Sequence, residues 1–226
     1  MSDLNSFLMD WDAKYKEGTD TILLFKKDLI SQWSLEQRQY FIRIFYHSRG
    51  HFNDFLWHLG NFAPDKKSKD MVLENISEEF NGSFLSHEQL YLNFALREGV
   101  DLSREYIDNQ YNIKKIKRFN DTHMCWLYAH SDWYSKLSAF SAYERLDSVD
   151  YELLSQSLFE SSEKEPVFFT IHRKAKHFEK THMSLKKAWQ DKKSLVEEAF
   201  IFIAEAQLEM WKYLYSAVAS YPKKND

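Results

Sequence analysis

Only five glycines and three prolines interrupt the 226 residues of this chain. Tight turns draw on those two residues, because glycine reaches positive φ without strain and proline presets a turn's first dihedral. A sheet-rich fold of this length needs many such turns. So few breakers predict long helices joined by short loops. The predicted fold class is all-α, a helical bundle, and 1–226 reads as a single domain with its core over about 20–220. Aromatic residues make up 17 % of the sequence, ample apolar bulk for one core and too much for a disordered chain.

The formal net charge is −4, with acidic and basic residues interspersed. That pattern excludes a general nucleic-acid binder, which carries a basic face. The one basic run, Lys114-Lys115-Ile116-Lys117-Arg118, reads as a solvated helix face. A single cysteine, Cys125, excludes an intramolecular disulfide and a cysteine-based zinc site. The first residues, Met1-Ser2-Asp3-Leu4-Asn5, lack the basic and apolar segments of a signal peptide. No apolar window reaches the length of a membrane span, so no membrane partner is expected and the expected location is cytoplasmic.

Helix signals follow one another closely. Ser34-Leu35-Glu36-Gln37, Ser86-His87-Glu88-Gln89 and Ser194-Leu195-Val196-Glu197 are three capping boxes. The first opens a long amphipathic segment carrying Phe41, Ile44, Phe45, Phe52, Phe55, Leu56 and Leu59, ended by Gly60 to Pro64. Further helices are predicted at Leu4–Tyr15, Thr21–Trp33, Asp65–Phe80, from Ser86 to Leu96, Asp101–Lys117, Asp121–Leu146, Tyr151–Glu160, Pro166–Gln190, and from Ser194 to near Pro222.

A bundle builds metal sites from carboxylates and imidazoles that project inward from several helices. Ligand candidates are therefore polar residues on apolar faces. On the segment from Phe168 to His182, seven residues bring a helix almost back to one direction, so His172, Lys176 and Glu179 share a face with His182 near its edge. Glu144 follows Ala139, Ala142 and Tyr143, small or apolar neighbours that permit close helix approach. Glu78 and Glu79 close one helix and His87 opens the next, which can bring them to one point. For each segment taken alone, an ordinary solvated face accounts for the same residues. His47, His51 and His58 form a fourth candidate stripe, read either as cavity or metal groups or as three half-buried histidines bonded to carbonyls.

Taken together, the order Asn75-x-x-Glu78-Glu79-x-x-Gly82, then His87, then Ala142-Tyr143-Glu144, then Phe168-Phe169-x-x-His172 resembles the haem-oxygenase-like diiron oxidases. These share a fold with the thiaminase-like TenA proteins and the pyrroloquinoline-quinone synthases (PqqC). The resemblance covers about Phe41 to Tyr215 and implies a seven-helix bundle. It also implies an oxidoreductase with two irons that activates dioxygen to oxidise a small organic substrate, or its own side chain. A homodimer is implied as well. Carried over by position, Glu79 (or Glu78), His87, Glu144 and His172 match family ligands. The family then has a His-x-x-x-Asp-x-x-His triplet, but here Lys176 stands at the Asp and Glu179 at the last His. Glu179 can still ligate iron, whereas a charged lysine repels it, so the second iron site is open. Tyr143 beside Glu144 also resembles the chlamydial para-aminobenzoate synthase subgroup, which implies catalytic roles for Tyr143 and Lys176.

Three other readings compete. One is a TenA-like C–N hydrolase using Cys125, although a buried structural cysteine fits that residue better. Another is a cofactor-free PqqC-like oxidase using the histidine stripe. The last is a bundle that has lost its metal and binds a partner.

Overall fold

A computed structural model of the chain describes residues 3–81, 85–159, 165–174 and 177–222. Among these described residues eleven helical segments run in the order α1 (Leu4–Asp20), α2 (Lys27–Ile30), α3 (Leu35–His47), α4 (Phe52–Phe62), α5 (Lys66–Asn81), α6 (His87–Arg97), α7 (Glu105–Asp108), α8 (Lys114–Ala129), α9 (Trp133–Leu158), α10 (Val167–Lys174) and α11 (His177–Ala219). A 3-10 turn at Leu23–Phe25 precedes α2, and no strand occurs among the described residues. The all-α expectation holds. The count exceeds seven, even with α2 and α7 set aside as single turns. No described helix is long and apolar enough to cross a membrane.

Local signals account for the helix starts. Ser34 and Ser86 both form the reciprocal capping boxes that their sequences predict. At Ser86 the hydroxyl accepts from Gln89 N at 3.1 Å, and Gln89 Oε1 accepts from Ser86 N at 2.9 Å. Removing that hydroxyl strands a backbone donor. Ser86→Ala is therefore expected to cost about 1 kcal/mol and to lower the melting temperature by about 2–4 °C, read by circular dichroism.

The differences from expectation lie where long-range packing decides. The early amphipathic segment is two helices, broken at residues 48–51, where the Ser48 hydroxyl donates to Phe45 O. That break releases Arg49 and His51 from the helix register and turns both toward the interior. The stretch 21–33 is only a 3-10 turn and one helical turn. The stretch 101–113 is mostly loop, with Asn109 left-handed at φ 49°. Its organiser is Glu105, 5 % exposed, whose carboxylate accepts from Tyr111 N at 2.6 Å and meets His47 Nε2 at 2.7 Å. The expected break near Ser194 survives as a kink inside α11 at Lys192 (φ −148°, ψ 54°).

Helix α9 is the axis of the bundle. It packs chiefly on α11 and then on α10, and it is buried on nearly every side. Its residues Ala139 to Leu146 join one apolar core with Trp11, Phe55, Leu59, Leu185 and Phe200. Its residues Tyr151 and Leu154 join a second core with Phe41, Phe45, Phe94, Phe169 and Trp211. At the junction three acids are buried on this one helix: Glu144, Asp147 and Asp150. Burying that much negative charge is costly unless each group is paired. Each of the three therefore needs its own account.

Candidate metal centre

The end of α5 and the start of α6 bring Glu79 to His87, as the short connection between them allows. Helix α10 lays His172 beside them. Ligand atoms of Glu79, His87 and His172 all lie within 4.8 Å of one another, and all three residues are half-buried. The rings of His87 and His172 stand 4.7 Å apart, tilted at 62°.

Two details show what these groups are free to bind. His87 Nδ1 sits 3.0 Å from Glu79 Oε2, yet the pair is not aligned as donor and acceptor, and Nδ1 is a buried atom without a hydrogen-bond partner. Two ligand atoms that share a cation have this relation: close together, but aimed at a third point. His172 Nδ1 lies 2.7 Å from Phe168 O, and a carbonyl can only accept, so Nδ1 carries the proton and Nε2 keeps its lone pair. Such a bond fixes ring orientation and tautomer for ligation. Burial, reinforced by the neighbouring His87, pushes the His172 imidazole down to about 3, so it stays neutral at working pH. A neutral imidazole is the form that binds a metal. The residues present thus fit a first-row divalent metal: two imidazoles and one carboxylate.

Glu144, on α9, is 6 % exposed and stands outside this three-residue group. Burial pushes its carboxyl well up, and the charges of Asp147 and Glu79 push it further, opposed by Arg49. Asp147 is paired with Arg49, Nη1 to Oδ1 at 2.5 Å. The Arg49 guanidinium lies over aromatic faces, 4.9 Å from the Tyr143 ring centre, 5.6 Å from Phe52 and 6.0 Å from Tyr151. Tyr143 is fully buried, and its hydroxyl meets His51 Nε2 at 2.8 Å. The roles in that contact can be assigned. Asn120 Nδ2 donates to His47 O, so its Oδ1 faces His51 Nδ1, which must carry the ring proton. His51 Nε2 is then the acceptor and Tyr143 the donor.

A cavity of about 590 Å³ opens onto this assembly. Glu79, His87, His172, Arg49 and Asp147 line it on one side, with Tyr46, Phe52, Tyr91, Tyr151 and Phe168 supplying aromatic walls. That size suits a small organic molecule.

The remaining candidates stand outside the three-residue group. Glu78 turns from the cavity and accepts from Lys180 at 2.5 Å, leaving Glu79 as the inward member of the pair. Glu179 is exposed and outside the three-residue group. His182 packs on Phe178, ring centres 5.8 Å apart. Lys176 lies outside the described residues, as does Gly82 of the first motif. The histidine stripe divides: His47, held by Glu105, and His51, held by Asn120 and Tyr143, both line the cavity, whereas His58 meets Lys136 away from it. Side chains, not carbonyls, hold them. Cys125 is exposed, contrary to the buried setting expected of it, and takes no part in lining the cavity. Its neighbours are committed elsewhere: His130 to Trp126 O and Glu198, and His123 Nδ1 to Phe119 O. The basic run on α8 is a solvated face, exposed around a buried Ile116.

Sequence reasoning missed Arg49, Asp147 and Tyr151. A charged residue reads as solvated by default. The available signal was periodicity, since Asp147 and Tyr151 continue the face of Phe140 and Glu144 along α9.

The sequence matches the family of iron-containing redox enzymes over residues 39–212, more than three quarters of the chain. The chain belongs to that haem-oxygenase-like family. No curated protein matches its sequence.

Proposed function

We propose that the protein is an iron-dependent oxidase that uses dioxygen to oxidise a small organic molecule held in the cavity beside Glu79, His87 and His172. One observation carries this reading: two imidazoles and a carboxylate converge at the wall of a cavity large enough for a substrate. Bound iron would supply redox chemistry and open coordination positions to dioxygen.

The chain's own residues do the rest. Phe168 O holds the His172 tautomer. Tyr46, Phe52, Tyr91, Tyr151 and Phe168 give the substrate an aromatic lining to pack against. Arg49 holds Asp147 in place at the cavity wall. Tyr143 serves the version in which the enzyme oxidises its own side chain, because its hydroxyl donates to His51 Nε2, an acceptor in place for a departing proton.

The test is iron content with oxygen uptake. Protein reconstituted with ferrous iron and a reductant should consume dioxygen above the rate of the metal-free protein. His87→Ala should hold little iron and consume no more than that background. Equal uptake by the metal-free protein would sink this reading and favour cofactor-free chemistry.

A further inference from the structure

We propose that the centre takes a single iron, in the Glu79, His87 and His172 set, and that the Arg49 guanidinium stands in for a second cation beside Glu144 and Asp147. The proposal rests on the reading that this site binds iron. It concerns what sits next to that iron.

The first observation is the donor set. Among the described residues, the group whose ligand atoms converge consists of those three side chains. Two imidazoles and one carboxylate can occupy one face of an octahedron around one ferrous ion and leave the other positions open. A second iron would have to draw on Glu144 and Asp147, because Glu179, one donor that spacing offers, is exposed on α11.

The second observation is the cation already present there. Glu144 and Asp147 lie one turn apart on α9, both buried. Two such carboxylates call for a cation. Arg49 supplies it: Nη1 reaches Asp147, and the rings of Tyr143, Phe52 and Tyr151 surround the guanidinium. Those ring faces favour a cation and fix its position. Arginine does not lose its proton in a protein, so this charge is permanent. The break at residues 48–51 puts Arg49 there, since a continuous helix from α3 into α4 would hold it in a different register.

The third observation is the charge balance over these side chains. Glu79, Glu144 and Asp147 bring at most three negative charges to one permanent guanidinium charge. One ferrous ion offsets all of that. A second would add two positive charges with nothing to offset them, next to a guanidinium that cannot neutralise itself.

The experiment is anaerobic titration with ferrous iron alone, counting bound metal by elemental analysis. Nitric oxide is then added to the loaded protein as a spin probe. Wild type is expected to saturate at one iron per chain and to give the half-integer-spin signal of an isolated iron–nitrosyl. Arg49→Met is expected to take up a second iron, and Arg49→Lys, which keeps a charge, to stay at one. Asp147→Asn tests the same balance without touching the guanidinium. It leaves Arg49 unopposed and should weaken iron binding at least tenfold. Two irons in wild type would overturn the inference while leaving the proposed function standing. No iron in folded wild type would defeat both. A folded Arg49→Met that stays at one iron would overturn the role given to Arg49. If that variant does not fold, unchanged iron affinity in Asp147→Asn would overturn it instead.

Discussion

Ferrous iron added without oxygen is expected to raise the melting temperature of the wild type and to leave His172→Ala where it was. A ligand that binds only the folded state stabilises it by mass action, about 2.7 kcal/mol at a hundredfold excess over its Kd. In a chain of this size that is a rise of about 5–10 °C. The ligand atoms of Glu79, His87 and His172 come from three different helices, so the metal ties α5, α6 and α10 together. The metal-dependent shift is the quantity to measure, not the absolute melting point. His172 also stacks on Tyr151 with ring centres 4.4 Å apart and donates to Phe168 O, so the variant loses some stability even without iron. Glu179→Ala is the control. That carboxylate is exposed on α11, and the iron-induced rise should survive its removal. A rise lost in Glu179→Ala would place this residue among the ligands after all. A rise retained in His172→Ala would remove His172 from them.

The parts of this molecule legible in its sequence are those set by local chemistry. A serine followed three residues later by glutamine fixes two helix starts within a few atoms, and both capping boxes form. Scarcity of glycine and proline fixes the all-helical class. Glu79, His87, Glu144 and His172 are legible because their order along the chain carries the family pattern, and Glu79, His87 and His172 meet at one point. What could not be read depends on contacts between distant segments. The loop at 101–113 looks helical by composition, but Glu105 spends its carboxylate on His47 and on the Tyr111 backbone. That trade holds the loop against α3. Arg49 sits in an amphipathic stretch where a charge would ordinarily face water, and only the break at residues 48–51 turns it inward. The seven-residue spacing of His172 and Glu179 promised a shared face. In the folded chain His172 is half-buried beside Glu79 and His87, whereas Glu179 is exposed and outside that group.

Asp150 marks the second large effect. Replacing it with alanine is expected to cost about 3–5 kcal/mol, because buried donors are left without an acceptor. The carboxylate is wholly buried and accepts from the Tyr15 hydroxyl at 2.8 and 3.0 Å, from Trp211 Nε1 at 2.9 Å and from Gln207 Nε2 at 3.4 Å. Those bonds tie α1 and α11 to the central helix, so alanine should lower the melting temperature by about 10 °C or more. Asparagine separates charge from shape. Burial pushes the Asp150 carboxyl up to about 7, although the Tyr15 and Trp211 bonds pull it down. The unfolded chain releases that proton near the ordinary value of about 4. Between about pH 4 and 7 the folded state therefore holds a proton that the unfolded state lacks. Stability from this group is full below that window and is lost as pH rises through it. An asparagine has no such proton to lose. The melting temperature of Asp150→Asn, taken relative to wild type, should thus be less favourable at about pH 5 than at about pH 8. A difference that stays flat across that range would mean that Asp150 is ionised throughout, with its three donors outweighing the cost of burial.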